Sequence, residues 1–482
     1  MLTRRAFLER AGGGLAASAV GPVLDAALDE LEATDDRRVS ALRRALRGPV
    51  IGRRSALYDS LRRPQNLRYA AVRPLAIAQP LDARDVAALV RWAERTGVPI
   101  VARSGGHSYA GYSTTRGVVV DLARMAGVRV DGRGRATVGA GARLGNVYAA
   151  LGRRGLAIPA GSCPSVGIGG LTLGGGFGLA SRAWGLTCDN LIRAEIVTAD
   201  GRILLCDRAR HPDLFWALRG GGGGNFGIVT RFVFRTHRVS SATRFSANWP
   251  WAAVDDVLEA YLRWVRSTPD KLTSICRLYT SGGNPGVQVI GQYLGGEAAL
   301  RTVVARLTRD LPPPQLTTST EPWLDIVRRF GGCGSRSLAE CSRGAPSAFA
   351  AGSDYLARPF TRRGRAALKH AIESRGPEPA AVLIDSYGGA VNRVAPSATA
   401  FVHRRMLASM QYYTSGSGGR RWVRSARAAM RPHVSGQANQ NYIDPDLRGW
   451  QRAYYGANLG RLHTVKRKYD PHNLFHFAQS IR

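Results

Sequence analysis

The sequence predicts an α+β protein of two or three domains, and three observations predict it. A chain of 482 residues with 44% hydrophobic content can bury more than one core. Up to about Val239, short apolar strands alternate with amphipathic helices. From about Ser240 the pattern changes to longer amphipathic helices with intervening strands. No stretch approaches the ~20 apolar residues that cross a bilayer, and no repeat at solenoid spacing occurs.

The amino terminus, Leu2–Val20, carries Arg4-Arg5, then Phe7-Leu8 and a weakly apolar alanine/glycine run. It resembles a twin-arginine export signal, with Ala17-Ser18-Ala19 as a small-residue cleavage site and an acidic stretch from Asp25 to Asp36 closing it. Residues 1–36 are therefore expected to be signal and linker, with a periplasmic or extracellular destination. The alternative is an ordinary arginine-rich tail.

Val86, Leu89, Val90 and Ala93 fall at helical spacing, with Asp82 as cap and Gly97 and Pro99 as the stop. Ile100-Val101-Ala102 then forms a short buried strand that empties into a first loop, Arg103-Ser104-Gly105-Gly106-His107-Ser108. Paired glycines let backbone approach a pyrophosphate, and Arg103, Ser104 and Ser108 offer charge or hydrogen bonds. Val118–Leu122 and Thr137–Ala140 predict strands, and Leu144–Leu151 a helix ending near Gly155. A second loop, Gly161–Gly178, spends eight glycines, more than a turn needs, and Ile168, Leu171, Leu173 and Phe177 interleave them, unlike a solvated linker. Ala194–Thr198 and Ile203–Leu205 flank the hairpin turn Asp200-Gly201. Val287–Leu294 and Ala381–Tyr387 are strands of the second half.

Those loops, together with Arg182–Leu191, Leu214–Phe232 and Asn441–Ile481, resemble the berberine-bridge-enzyme-like, or oligosaccharide-oxidase-like, branch of the vanillyl-alcohol-oxidase superfamily. The resemblance implies a PCMH-type FAD-binding domain of two α/β subdomains over 37–239, with its core at about 68–238. It further implies a substrate domain over 240–431, an antiparallel sheet backed by helices, and a segment 432–482 returning to the flavin domain. In that branch the residues matching His107 and Cys163 bond to the flavin, so FAD is expected to be attached twice. Arg103, Ser104, Gly105, Gly106, Ser108, Val166, Gly167, Gly170, Gly174, Gly176, Phe177, Gly178, Asn225, Gly227, Ile228, Val229 and Asn441 match the rest of the cofactor site.

The implied reaction is hydride removal from an alcohol of a carbohydrate or similar small molecule, with O2 as final acceptor, because Val166 stands where valine leaves oxygen a path. The alternatives are a tailoring oxidase of a polyketide, alkaloid or glycopeptide, or an impaired flavin-loaded binding protein. One position departs from the family: Asn439 replaces the tyrosine that serves as base, and an amide cannot take that role. Tyr109, activated by Arg103 or another nearby arginine, is then the first candidate base. Tyr442 is second, and Gln411 lies where berberine bridge enzyme has a glutamate.

The formal charge of +34 comes from arginine, since only Lys271, Lys369, Lys466 and Lys468 are lysines. The arginines are scattered and no aromatic-plus-basic module appears, so nucleic acid is not the expected partner; adhesion to acidic cell-wall polymers or anionic lipid stays open. No cysteine pair has zinc spacing, so no metal is expected. Cys333 and Cys341 flank a short loop and are either a disulfide or two thiols; the disulfide is expected if the protein is exported. Cys188 and Cys206 are expected to be buried packing residues.

Overall fold

Two sheets with different connectivity follow from the first half of the chain. The computed structural model describes residues 30 and 33–482, so the twin-arginine run lies outside the described residues. The helix Ala83–Thr96 starts where Asp82 accepts hydrogen bonds from the amides of Arg84 and Asp85, and ends at Gly97 in the left-handed region (φ 65°). It crosses over between Ala76–Ala78 and Ile100–Arg103, with Val118–Asp121 lying parallel between those two strands. Val50–Gly52 adds an antiparallel edge. The central strands read as apolar runs because both faces are covered.

The second sheet is wholly antiparallel, ordered Val128–Val130, Ala136–Gly139, Ile228–Phe234, Leu191–Val197, Ile203–Cys206. Its last pair is the hairpin expected around Asp200-Gly201, with Gly201 at φ 74°. Residues from Val39 to Ala242 share one apolar core with Trp323–Cys341 and with the carboxy-terminal stretch Ala453–Ile481. Cys333 and Cys341 are disulfide-bonded, and Cys188 and Cys206 are buried thiols.

The third sheet is antiparallel with seven strands, ordered Gln315–Pro322, Ser241–Trp249, Asn284–Tyr293, Leu272–Ser281, Ala380–Ser386, Ala408–Ser415, Phe349–Leu356. Strand alternation gives it two faces. Val382, Ile384, Met410 and Tyr412 point into a second core with the helices Val254–Trp264, Arg362–Glu373 and Gly419–Met430. The alternate residues Leu383, Asp385, Ser409 and Gln411 face the other way. That face meets the first core: Gln411 bonds to Tyr109, Gln292 to the Leu179 carbonyl, and Ser353 accepts from the Asn439 amide. No helix among the described residues is long and apolar enough to cross a membrane.

Candidate active site

A cleft with about 1460 Å³ of space, part of it open to solvent, runs between the two smaller sheets and the carboxy-terminal segment. The loop after Ile100–Arg103 and the loop before Ile168–Leu173 form one wall, and they touch backbone to backbone. A Cβ on Gly105 would stand 2.3 Å from the Gly167 nitrogen, and one on Gly167 would stand 2.2 Å from the Gly105 nitrogen. Only glycine at both positions allows this approach. Ser104 Oγ donates to the Ala140 carbonyl at 2.5 Å and accepts from the Gly169 amide, which anchors the pair to the second sheet.

The contact brings the two nucleophiles together. Ser165 Oγ lies 2.9 Å from His107 Nε2 and 3.4 Å from Cys163 Sγ. Burial and the nearby Arg143 guanidinium push the His107 pKa down to about 4, so its imidazole is neutral and carries a free lone pair near pH 7. Ser165 has no glycine-like signature and was not singled out by sequence; its meaning arises only from this juxtaposition.

Gly170 and Gly223 line the cleft, yet neither has a positive φ and neither would meet close protein atoms if it carried a Cβ. Nothing in the protein's own packing demands glycine there. A ligand passing against bare backbone does, and FAD fits such a cradle. Asn225, Gly227, Ile228, Val229, Val166, Ser108, Gly106 and Asn441 also line it, but among the described residues no lysine or arginine does. A pyrophosphate would therefore be held by backbone N–H groups. Asn225 is itself fixed, donating to the Gly221 carbonyl and accepting from the Ile481 amide.

Several expected cofactor residues have other work. The Arg103 guanidinium is buried and donates to the carbonyls of Leu61, Arg62 and Ser113, so it neither meets the cleft nor activates Tyr109. Gly174 and Gly176 make room for Asn441 and Thr187, and a Cβ on Gly178 would stand 1.7 Å from the Ala160 carbonyl. Phe177 stacks on Tyr387, ring centroids 5.1 Å apart, in a separate apolar cluster. These four lie outside the cleft lining because the glycine run turns into the protein after Leu173.

Of the expected bases, Tyr109 accepts a 2.6 Å hydrogen bond from Gln411 Nε2 and stacks parallel to Tyr442, centroids 5.5 Å apart. Burial pushes the Tyr109 phenol well above its ordinary pKa, and Tyr442 rises for the same reason. Both therefore stay protonated near neutral pH, and neither accepts a proton. Asn439 is buried, and its Oδ1 caps the turn by accepting from the Asn441 amide. Sequence reasoning missed Asp385, a carboxyl on the sheet face that carries Gln411. Its signal was an acidic residue in an otherwise apolar strand, Ala380–Ser386.

His237 and His403 are also held neutral by burial, each with its pKa pushed down to about 4. With His107 they make three imidazoles that the unfolded chain protonates near pH 6.5 and the folded chain does not until about pH 4. The unfolded state then binds more protons between these values, so stability is full above about pH 6.5 and falls as pH drops toward 4. Urea midpoints measured from pH 7.5 to 4.5 should decline over that interval.

Residues 74–207 match the FAD binding domain family model, and residues 440–482 match the model for berberine and berberine-like proteins. An uncharacterized FAD-linked oxidoreductase of Bacillus subtilis is 34% identical, the alignment covering 90% of this chain and 97% of that protein. A chitooligosaccharide oxidase of Gibberella zeae is 32% identical over 85% of this chain and 87% of its own length. The solved structure of Physcomitrella patens BBE-like 1 superposes with a TM-score of 0.86 at 32% identity, covering 92% of this chain and 99% of that one.

Proposed function

Because the chain belongs to the family of berberine-bridge-enzyme-like and oligosaccharide-oxidase-like FAD-linked oxidases, we propose that it is exported, carries FAD bonded to both His107 and Cys163, and oxidises a carbohydrate alcohol with O2 to give H2O2. The observation that carries this reading is the Ser165 hydroxyl set between the neutral imidazole of His107, which lines the cleft, and the Cys163 thiol. When bound there, FAD supplies the two-electron acceptor for hydride from the alcohol carbon. The protein's part is to hold that acceptor against Tyr109, Tyr442 and the site-facing side of the seven-stranded sheet. Val166, lining the cleft three residues after Cys163, supports access of O2. The Cys333–Cys341 disulfide supports an oxidising destination, and oligosaccharide substrates are the natural class given a chitooligosaccharide oxidase among the relatives.

The test is intact mass and flavin absorbance after acid denaturation. Flavin should stay on wild type and on each single variant, His107→Ala and Cys163→Ala, and leave only the double variant. Release of flavin from denatured wild type would overturn double attachment.

A further inference from the structure

Before a cofactor can be bonded twice, two nucleophiles must be ready: a nitrogen with a free lone pair and a sulfur without its proton. We propose that the single hydroxyl of Ser165 prepares both, as a positioning residue acting through His107 and Cys163; this rests on the double attachment put forward above.

The hydrogens decide it. Ser165 Oγ has one hydrogen to donate and lone pairs to accept with, and its partners are His107 Nε2 at 2.9 Å and Cys163 Sγ at 3.4 Å. Among the described residues His107 Nδ1 makes no hydrogen bond. A neutral imidazole carries one N–H. With that hydrogen on Nε2, the ring donates to Ser165 Oγ and Nδ1 keeps its lone pair. The Ser165 O–H is then left for the sulfur, where it stabilises the thiolate. With the hydrogen on Nδ1 instead, the serine O–H turns to the ring, the sulfur loses its donor and the ring has no free nitrogen. Only the first arrangement arms both groups. Burial and Arg143 keep the ring neutral, as this requires, and the exposed sulfur can release its proton to water.

The place of the hydroxyl is fixed from three sides. Ser165 is 5% exposed. Its loop is pinned to the start of the helix Leu144–Gly152, where the Leu144 and Gly145 amides donate to the carbonyls of Val166 and Pro164. A Cβ on Gly105 would stand 2.8 Å from the Ser165 carbonyl oxygen, and one on Gly344 would stand 2.8 Å from the Ser165 Cβ. The segment before Gly344 is held by Arg143, which donates to the Ser342 and Arg343 carbonyls at 2.6 and 2.8 Å.

Either bond balances in the same way. One S–H or N–H of the protein and one C–H of the cofactor break, and an S–C or N–C bond forms. The two protons and two electrons released are taken up by O2 as H2O2. At Cys163 the protein's proton goes to water. At His107 it leaves Nε2 by way of Ser165 Oγ once Nδ1 has bonded.

The experiment places Ser165→Ala and Ser165→Thr in the wild type, in His107→Ala and in Cys163→Ala, so that each bond is also followed alone. Full-length protein is isolated at a series of times after induction, and intact mass after acid denaturation gives the fraction bonded. Loss of a hydrogen bond to a charged group should slow attachment about 10-fold or more in Ser165→Ala, at both sites. Ser165→Thr keeps the hydroxyl and should restore the rate. Flavin present before denaturation and the thermal midpoint should match in all three, which separates preparation of the nucleophiles from packing. Attachment at the wild-type rate at either site in Ser165→Ala, or slowing that Ser165→Thr does not restore, overturns the proposal. Slowing that follows a fall in bound flavin or in thermal midpoint overturns it as well. Release of flavin from denatured wild type is a different failure: the double-attachment reading falls, and the role of Ser165 with it.

Discussion

Gly105→Ala is expected to split the attachment site and to leave part of the protein without doubly bonded flavin. Its new Cβ would stand 2.3 Å from the Gly167 nitrogen and 2.8 Å from the Ser165 carbonyl. Both are backbone atoms, so neither can swing aside as a flexible side chain would. The two loops must part, and His107 moves away from Ser165 and Cys163. Overpacking of this kind costs about 1–3 kcal/mol, but the functional loss should exceed the stability loss, because bond formation to a flavin demands sub-ångström placement. Intact mass under denaturing conditions, with the thermal midpoint, separates the two effects. Gly460→Ala is the control: nothing lies within 4 Å of a Cβ there, and the position is helical, so it should be neutral or slightly stabilising.

Lys466→Met is expected to loosen the carboxy-terminal segment and with it one wall of the cleft. The Lys466 ammonium is buried and donates to Asp470 Oδ2 at 2.6 Å, to the Asn225 carbonyl at 2.8 Å and to the Phe475 carbonyl at 2.6 Å. Asp470 in turn accepts from the amides of Leu474 and Phe475. Methionine would fill much of the space yet leave a buried carboxylate without its cation and two carbonyls without a donor. Breaking a buried pair from one side costs about 3–5 kcal/mol. Asn225 and Phe475 both line the cleft, so flavin content per protein should fall along with the urea midpoint. Lys468→Met, two residues on, removes an exposed pair with Asp213 and should leave the urea midpoint nearly unchanged.

The contrast between Lys466 and Lys468 shows why part of this protein is legible in its sequence and part is not. Both lysines sit on one helix, Leu459–Tyr469, and although Asp470 lies four residues after Lys466, nothing local says that the pair is buried. Burial decides, and burial comes from the loop at Asn225, 241 residues away. The helix Ala83–Thr96, its Asp82 cap and Gly97 stop, and the hairpin at Asp200-Gly201 were legible because short-range hydrogen bonds and backbone sterics determine them. The glycine run at 161–178 was legible as unusual, but its purpose was only half legible. Gly167 and Gly170 face the other loop and the cleft, whereas Gly174, Gly176 and Gly178 make room for the protein's own atoms. A missing side chain is visible in sequence; what fills the space is not.

By itself, the sequence determined the α+β class, the two glycine-rich loops with His107 and Cys163, and the family to which they belong, since each rests on contiguous residues. Only the tertiary structure decided that Ser165 stands between the two nucleophiles and that Arg103 is consumed by carbonyls. It also decided that burial holds Tyr109 protonated, and that Gln411 of the seven-stranded sheet reaches it. Those outcomes depend on which groups meet across tens or hundreds of residues and on the water excluded when they do, and neither is written in any local run of amino acids.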